Sequence, residues 1–163
     1  MENEGITSVK SILTFRIADE LFAVNVLNVL KILEMTEITK VPQAPEFMKG
    51  VINLHGSVLP VIDLRQKLDL PLADFTRNTC ILVFILELDS DEINVGAIVD
   101  NVDKVTEIDT STIQPSPSIG TKYASEFIKG VAKLNDEFVM ILDVNKIIGT
   151  DDIVSIKDTV IEK

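Results

Sequence analysis

Apolar and polar residues alternate along residues 11–17, so that one face of this segment is apolar and the other is polar. This period of two predicts a half-buried β-strand. A turn at residues 18–20 then leads into a returning strand at residues 21–26. Residues 29–38 fit either a third strand or a short helical turn followed by a strand, and their β-branched side chains favour the strand.

A second hairpin is predicted around His55 and Gly56, because glycine readily takes the positive φ angle that a two-residue turn requires. Pro60 lies in the strand that follows and predicts an edge strand or a bulge, since proline cannot donate to the sheet ladder. The other elements predicted for this half are a helical turn at residues 45–49 ended by Gly50, strands at residues 51–54 and 57–64, and a short helix at residues 64–70.

The second half of the chain repeats this order of elements. Residues 47–68 align without a gap with residues 127–148, and a weaker repeat relates residues 28–34 to residues 101–107 at an offset of 73. The strongest matches of the long repeat are Phe47/Phe127, Lys49/Lys129, Gly50/Gly130, Val51/Val131, Leu54/Leu134 and Asp63/Asp143. The elements predicted here are strands at residues 79–88 and 93–100, a helical turn at residues 123–129 and a closing helix at residues 144–149. Residues 104–108 correspond to the ambiguous segment at residues 29–38.

Many short strands separated by turns are typical of a sandwich or a barrel. Because the unit is used twice, we predict a mainly β fold of two similar lobes, each a small barrel of about five strands, with a seam between them. We expect residues 1–10 to form a flexible N-terminus, residues 11–149 to form the folded double unit, and residues 150–163 to form a C-terminal tail.

The composition argues against several classes of function. A formal net charge of −11 is unfavourable for binding a nucleic acid or an anionic membrane surface, since both need clustered lysine and arginine. The longest apolar run, residues 80–86, is far shorter than the roughly 20 residues that cross a bilayer. The single cysteine excludes an internal disulfide and suits a reducing compartment. We therefore expect a cytoplasmic protein without direct membrane insertion.

The repeat places one aspartate, Asp63 or Asp143, at the same point of each lobe. Two lobes that each contribute an aspartate resemble the carboxylate pair of an aspartic protease, so a two-lobed hydrolase is one hypothesis. However, each aspartate follows an apolar strand and precedes helical residues, where its carboxylate can accept the free N–H groups of a helix N-terminus. Helix capping is the better interpretation, and we expect no enzymatic activity.

The remaining candidates for chemistry favour ordinary structural roles. The acidic turn with Asp89, Asp91 and Glu92 lacks the glycine and the distal glutamate of a calcium-binding loop, so it predicts a solvated hairpin turn. Cys80 opens an apolar strand with no base or cation beside it in sequence, which favours an inert core thiol. We expect no metal and no cofactor.

The weaker repeat gives Val26, Val29, Val99 and Val102 equivalent positions in the two lobes. They are either ordinary core residues or the lining of an apolar groove between the lobes, which would suit a helix laid into it. The mean hydropathy is positive although the chain is strongly charged, which fits either a Val/Ile-rich core or an apolar surface kept for a partner.

Residues 47–65 read F-x-K-G-V-x-N-L-x-G-x-x-x-P-V-x-D-L-R, which resembles the signature of the CheW coupling-protein family of bacterial chemotaxis. The resemblance spans residues 11–149 and includes the IVDNVDKV stretch at residues 98–105. It implies two intertwined five-stranded SH3-like barrels with a hydrophobic groove between them. It also implies a non-enzymatic adaptor that links the cytoplasmic tips of methyl-accepting chemoreceptors to the regulatory domain of the histidine kinase CheA.

By position, the resemblance implies that Val26 and Val29 bind the receptor, with Val99 and Val102 on the facing lobe. Because the receptor tip is a helical hairpin, the resemblance favours the interpretation of these valines as a groove. The protein would be a monomer when free and would be recruited to receptor arrays at the inner face of the membrane.

Other residues are implied in contacts with the receptor or the kinase. Gly50 and Gly56 match positions where a side chain would disturb coupling, and Ile119 is the candidate in the loop after Pro115, where the family contacts the kinase. The family usually carries arginine before the hairpin glycine, where this chain has His55. A carboxylate contact made there by arginine would be lost or would depend on pH, since histidine is mostly neutral at pH 7.

Two alternatives of the same structural class stay open. The chain could be a CheW-like module that binds a helix in another two-component system, or a piece of CheA, whose regulatory domain has the same double-barrel fold. Met1 and the C-terminal tail favour the free-standing adaptor.

Overall fold

The computed structural model describes residues 9–88, 91–115 and 127–149. These residues form ten strands, two short helices, α1 (Leu64–Lys67) and α2 (Val144–Ile147), and two 3-10 turns (Val26–Asn28 and Thr110–Thr112). The strands are β1 (Val9–Ile17), β2 (Glu20–Asn25), β3 (Val29–Glu34), β4 (Met48–Leu54), β5 (Ser57–Asp63), β6 (Cys80–Leu88), β7 (Asp91–Val99), β8 (Asn101–Asp109), β9 (Ile128–Leu134) and β10 (Glu137–Leu142). The predicted mainly β fold is confirmed.

The strands pair into two five-stranded sheets, named here the first sheet (β8-β1-β2-β10-β9) and the second sheet (β3-β6-β7-β5-β4). Each strand of the first half, β1–β5, has a counterpart five strands later in the chain, so that β1 corresponds to β6 and β3 to β8. Replacing every strand of the first sheet by its counterpart gives the strand order of the second sheet. Each sheet takes two strands from one half and three from the other. The two units are therefore intertwined, as the resemblance implied.

Alternation along the inner strands explains why they are buried on both faces. In β6, Leu82 and Phe84 point into a core shared by the two sheets, whereas Ile81 and Val83 point into a cluster that belongs to the second sheet. The first sheet has a matching cluster of its own around Ile12, Leu21, Ala23, Ile108, Ala132, Val139 and Ile141. Apolar burial is therefore divided among three clusters, and the shared core holds the two halves together.

Some local predictions were wrong. Residues 45–49 do not form a helical turn: the Met48 N–H donates to Pro45 O in a tight turn at 3.0 Å, and β4 begins at Met48. At the equivalent place in the second half, β9 begins at Ile128, and residues 123–126 lie outside the described residues. Residues 29–34 form a strand, preceded by a 3-10 turn, and β1 begins at Val9, earlier than predicted.

Pro60 does not mark an edge strand, because β5 lies between β4 and β7. The pairing of β5 with β7 begins only at Val61, so no ladder partner on that side is lost at Pro60. The hairpin turn of β4 and β5 is as predicted, with positive φ at His55 (52°) and Gly56 (85°). The corresponding turn between β9 and β10 carries positive φ at Asn135 and Asp136 instead.

Candidate functional site

The structure separates the four predicted groove valines. Val26, Val29 and Val102 are partly exposed, but Val99 is 0% exposed and belongs to the shared core. The prediction that Val99 lines a surface groove is therefore wrong, because its side chain packs among the shared-core residues between the two sheets. Val99 instead anchors the chain just before β8.

Val29 and Val102 both point into the space between the sheets. In an antiparallel pair, directly opposite residues project from the same face. Val29 of β3 is opposite Phe84, and Val102 of β8 is opposite Phe15. Both phenylalanines are shared-core residues, so the two valines continue the shared core to the edges of their sheets.

β3 and β8 lie along the same side of the shared core. The backbone of Val102 hydrogen-bonds to Cys80 of β6, which is the strand to which β3 is paired. The 3-10 turn before β3 contacts β1, which is the strand to which β8 is paired. β8 thus reaches the partner of β3, and the turn before β3 reaches the partner of β8. We define the surface between these two edge strands as the inter-sheet groove.

Two further apolar residues face this groove, and neither was predicted. Ile32 is opposite Leu82 and is 48% exposed, and Val105 is opposite Leu13 and is 57% exposed. Ile32 and Val105 are counterparts at the same offset of 73 as Val29 and Val102, so the repeat contained the signal that could have found them. The inter-sheet groove is defined by three residues of β3 and three of β8: Val29, Ile32, Glu34, Val102, Val105 and Glu107.

The rim of β3 is more apolar than the rim of β8. Leu27, in the 3-10 turn, is 80% exposed, and Leu30 is 49% exposed at a break in the register of β3. Their counterparts at the offset of 73 are Asp100 and Asp103. Large apolar side chains on one rim form an exposed patch of the kind that marks an interaction surface.

Asp100 fixes the corner between β7 and β8. Its carboxylate accepts hydrogen bonds from the Ala18 backbone N–H at 2.8 Å and from the Arg65 guanidinium at 2.6 Å. Arg65 also donates to Pro71 O at 2.7 Å. Asp100 therefore ties the β1–β2 turn of the first sheet to α1 of the second, and it holds the start of β8 in place.

Cys80 lies under the groove but is a poor nucleophile. Burial raises the pKa of its thiol, and the hydrogen bond from the backbone of Val102 only partly opposes this effect. A thiol reacts as the thiolate, which the raised pKa makes scarce at neutral pH. The predicted inert thiol fits this environment.

A cavity of about 600 Å³ opens at the Cys80 end of the groove. It lies between the end of β3 and the loop before β6, and Ile32, Glu34, Arg77 and Cys80 are among its lining residues. The cavity extends the groove beyond the end of β3, and its lining adds Arg77 to the apolar and acidic residues of the groove.

Gly50 has a structural role in the folded protein. It is buried, its φ is +151°, and a Cβ there would lie 2.2 Å from Thr39 O. Thr39 and Val51 form a two-way backbone bridge at 2.8 and 2.9 Å, so the segment before β4 crosses directly over Gly50. The resemblance implies that a side chain at Gly50 would disturb partner binding. In this structure a substitution there would act through the fold.

His55 and Gly56 are exposed at the tip of the β4–β5 hairpin. Lys31 Nζ of β3 lies 3.0 Å from His55 Nε2, so the hairpin reaches back to the strand that forms one rim of the groove. An arginine in place of His55 could not accept this contact from the lysine. Ile119, the other partner residue implied by the resemblance, lies outside the described residues.

Asp63 and Asp143 are helix caps. Asp63 Oδ1 accepts from the Arg65 N–H at 3.0 Å, and Asp143 Oδ1 accepts from the Asn145 N–H at 3.1 Å. Burial raises the pKa of Asp63, and the carboxylate that adds to this rise is Asp100. The capping interpretation is confirmed, and the geometry gives no support to a paired-aspartate hydrolase.

Among residues 9–88, 91–115 and 127–149, no cluster of three or more histidine, cysteine or acidic side chains could hold a metal ion. The acidic turn considered above includes Asp89, which lies outside those ranges. No helix in the described part of the chain is long and apolar enough to span a membrane.

The sequence of residues 11–152 matches the family model of the CheW-like domain. The chain belongs to the CheW-like family. It is 28% identical to the chemotaxis protein CheW of Klebsiella aerogenes, over 91% of this chain and 87% of that protein. It is 31% identical to the chemotaxis protein CheW of Bacillus subtilis, over 90% of this chain and 91% of that protein.

A solved structure supports the same assignment. The scaffolding protein TtCheW of Thermoanaerobacter tengcongensis superimposes with a TM-score of 0.77 at 31% identity, covering 88% of this chain and 90% of that one. The fold of two intertwined five-stranded units is therefore the fold of a CheW scaffold, and the chain is a chemotaxis protein of the scaffold and coupling class.

Proposed function

We propose that this protein is a non-enzymatic adaptor that couples the cytoplasmic tips of chemoreceptors to the histidine kinase CheA. The observation that carries the proposal is the inter-sheet groove, which is apolar, open at its rims and built on a rigid shared core. Membership of the CheW-like family supports the choice of partners. The site of action would be the cytoplasm, at receptor arrays on the inner face of the membrane.

The chemistry of the groove suits one helix of a receptor hairpin. Val29, Ile32, Val102 and Val105 form an apolar floor between two strands, and Leu27 extends it on the β3 side. A helix bound in such a groove buries its apolar stripe, and each Å² of apolar surface removed from water contributes about 25 cal/mol.

The kinase would bind a second surface, so that one adaptor can hold both partners. The candidates are the β4–β5 hairpin tip with His55 and Gly56, together with the loop that contains Ile119. Lys31 contacts His55 from β3, the strand that also lines the groove. The hairpin tip is thus joined to the groove through one strand.

The test is co-sedimentation of this protein with receptor-tip fragments and with the regulatory domain of CheA, with each partner omitted in turn. Ile32→Asp is expected to weaken receptor binding at least about tenfold, because a carboxylate would have to be desolvated beneath the helix. The same variant should keep its binding to CheA.

Leu72→Asp is the matched control, since Leu72 is an exposed apolar residue outside the groove. It should keep receptor binding, and both variants should show native circular dichroism. Unchanged receptor binding in Ile32→Asp would remove the groove from the proposal, and failure of native protein to bind either partner would overturn the proposed function.

A further inference from the structure

Each rim of the inter-sheet groove carries a glutamate. Glu34 of β3 is opposite Cys80, and Glu107 of β8 is opposite Ser11; both glutamates are exposed. Among the described residues, neither takes part in an ion pair within 4.0 Å. Both side chains are therefore available to a partner in the groove.

The lysines of the same strands face away from the groove. Lys31 is opposite Val83, which points into the second sheet's own cluster, and Lys104 is opposite Thr14 on the outer side of β1. Arg77 is a cation near one end, where it lines the cavity with Glu34, but it forms no described ion pair with that glutamate. The residues that define the groove are thus apolar or acidic.

The two glutamates lie at opposite ends of the groove. Val102, at the start of β8, contacts Cys80, which is opposite Glu34 at the end of β3. β8 then runs back towards the start of β3. Because Asp103 is the extra residue of a bulge, four ladder steps separate Val102 from Glu107, so Glu107 lies roughly 13 Å further along the groove than Glu34 at 3.3 Å per residue. Apolar side chains occupy the space between them.

We propose that Glu34 and Glu107 select the helix that binds the groove, by requiring a basic residue at each end of its apolar stripe. A helix rises 1.5 Å per residue, so roughly 13 Å corresponds to about nine residues, and positions i and i+9 lie on opposite sides of the helix, as contacts with opposite rims require. The partner is therefore an amphipathic helix with lysine or arginine at i and i+9, one on each flank of its apolar stripe. This inference rests on the proposed function, because it concerns the same groove.

The test uses three synthetic helical peptides that share one apolar stripe and differ only at the two positions, which carry lysine, glutamine or glutamate. Native protein is expected to bind the lysine peptide about tenfold more tightly than the glutamate peptide, with the glutamine peptide between them. The preference should shrink as salt is added, since the glutamates are exposed.

The decisive variant is Glu34→Lys with Glu107→Lys, which should reverse the order of the three peptides. Its matched control is Glu87→Lys with Glu92→Lys, an exposed pair opposite each other on β6 and β7 that gives the same change in net charge. The control should keep the native order. An unchanged order in the groove variant, or a reversal in the control as well, overturns the inference.

Ile32→Asp separates this inference from the proposed function. If Ile32→Asp abolishes binding of all three peptides and native protein binds them equally, the groove stands and the charge selection is wrong. If the peptides bind native protein and Ile32→Asp equally, the groove itself is wrong, and the proposed function loses its receptor site. If no peptide binds native protein, the charge selection is likewise rejected.

Discussion

The two rims of the inter-sheet groove come from the same repeat and yet present different surfaces. The rim of β3 carries Leu27 and Leu30, whereas the counterparts on β8 are Asp100 and Asp103. The floor residues do not differ in this way, since Val29 and Ile32 correspond to Val102 and Val105. One copy of the repeat therefore keeps a polar edge, and the other has become an apolar surface.

The contacts of Asp100 explain why the change was permitted in only one copy. At α1, the first of the two capped helices, the Arg65 guanidinium donates to the Asp100 carboxylate, which also accepts the Ala18 N–H. At the counterpart of Arg65, Asn145 accepts the Glu87 N–H directly, at 3.4 Å. No carboxylate is then needed at the counterpart of Asp100, and Leu27 occupies that position with its side chain in solvent.

The difference shows how a duplicated fold gains a function. Contacts that hold the chain together are needed in both copies, so they resist change wherever no substitute exists. Where one direct hydrogen bond, such as that of Asn145, takes the place of a carboxylate bridge, the position of the carboxylate is free to carry a side chain that serves a partner. Leu27 occupies such a position.

The largest effect is expected at a glycine that both copies share. Gly50→Ala would place a Cβ 2.2 Å from Thr39 O at a φ of +151°, and we expect it to destabilise the protein by about 3 kcal/mol. Gly130→Ala would meet Gln114 O at 2.6 Å without a positive φ, so a smaller loss is expected. Urea unfolding followed by circular dichroism measures both.

Gly149→Ala is the control for this comparison, because a Cβ there would meet nothing within 4 Å. Its free energy of unfolding should stay within about 0.5 kcal/mol of the native value. Equal losses for Gly50→Ala and Gly130→Ala would mean that the positive φ contributes nothing to the difference between the two copies.

The second effect compares Asp100 with its counterpart Leu27. Asp100→Leu leaves the Arg65 guanidinium and the Ala18 N–H without their acceptor, and we expect a loss of about 2 kcal/mol in the free energy of unfolding. Leu27→Asp makes the opposite exchange at the counterpart and should change stability by less than about 0.5 kcal/mol. Both free energies of unfolding can be measured by thermal or urea unfolding. An equal loss at both positions would contradict the inference that Asn145 replaces an acidic residue at the position of Leu27.

The third effect concerns binding. Leu30→Asp copies the residue of β8 onto the rim of β3, and we expect the affinity for a receptor-tip fragment to fall about tenfold, since the new carboxylate must lose water beneath the helix. Asp103→Ala, the counterpart change on the other rim, should alter the affinity less than about threefold. Isothermal titration calorimetry gives both values, and equal losses would show that the helix uses the two rims alike.

Most of the fold could be predicted from the sequence, because the repeat and the alternation of apolar residues can both be read within short segments of the chain. It could not predict that Val99 is buried, since the burial of β7 between β6 and β5 depends on strands that are distant in sequence. Ile32 and Val105 were missed for a related reason. Their exposure follows from the edge positions of β3 and β8 in the sheets, which no local pattern reports.

The helical turn predicted at residues 45–49 failed because a single tight turn from Pro45 to Met48 gives the same local signal as the start of a helix. The caps at Asp63 and Asp143 were predictable, because a helix N-terminus needs its acceptor within three residues in sequence. Asp100 was not, since its partners Ala18 and Arg65 are brought to it only by the assembled sheets.

The smallest effect compares the two caps. Asp63 is 3% exposed and its pKa is raised by burial, whereas Asp143 is more exposed. A carboxyl group whose pKa is higher in the folded state than in the unfolded state, 3.8, contributes stability that is complete below the unfolded pKa. That contribution is lost as the pH rises through the folded value, so at neutral pH the buried charge of Asp63 costs stability.

Asp63→Asn keeps an acceptor for the Arg65 N–H and removes the charge, so its stability relative to native protein should rise between about pH 3 and pH 7, by less than about 1 kcal/mol. Asp63→Ala removes the acceptor as well and should cost about 1 kcal/mol. Asp143→Ala, at the more exposed cap, should likewise lose the acceptor of the Asn145 N–H. Urea unfolding at several pH values checks the sign: a relative stability of Asp63→Asn that falls as the pH rises would mean that Lys49 and Arg65 compensate the buried charge in full.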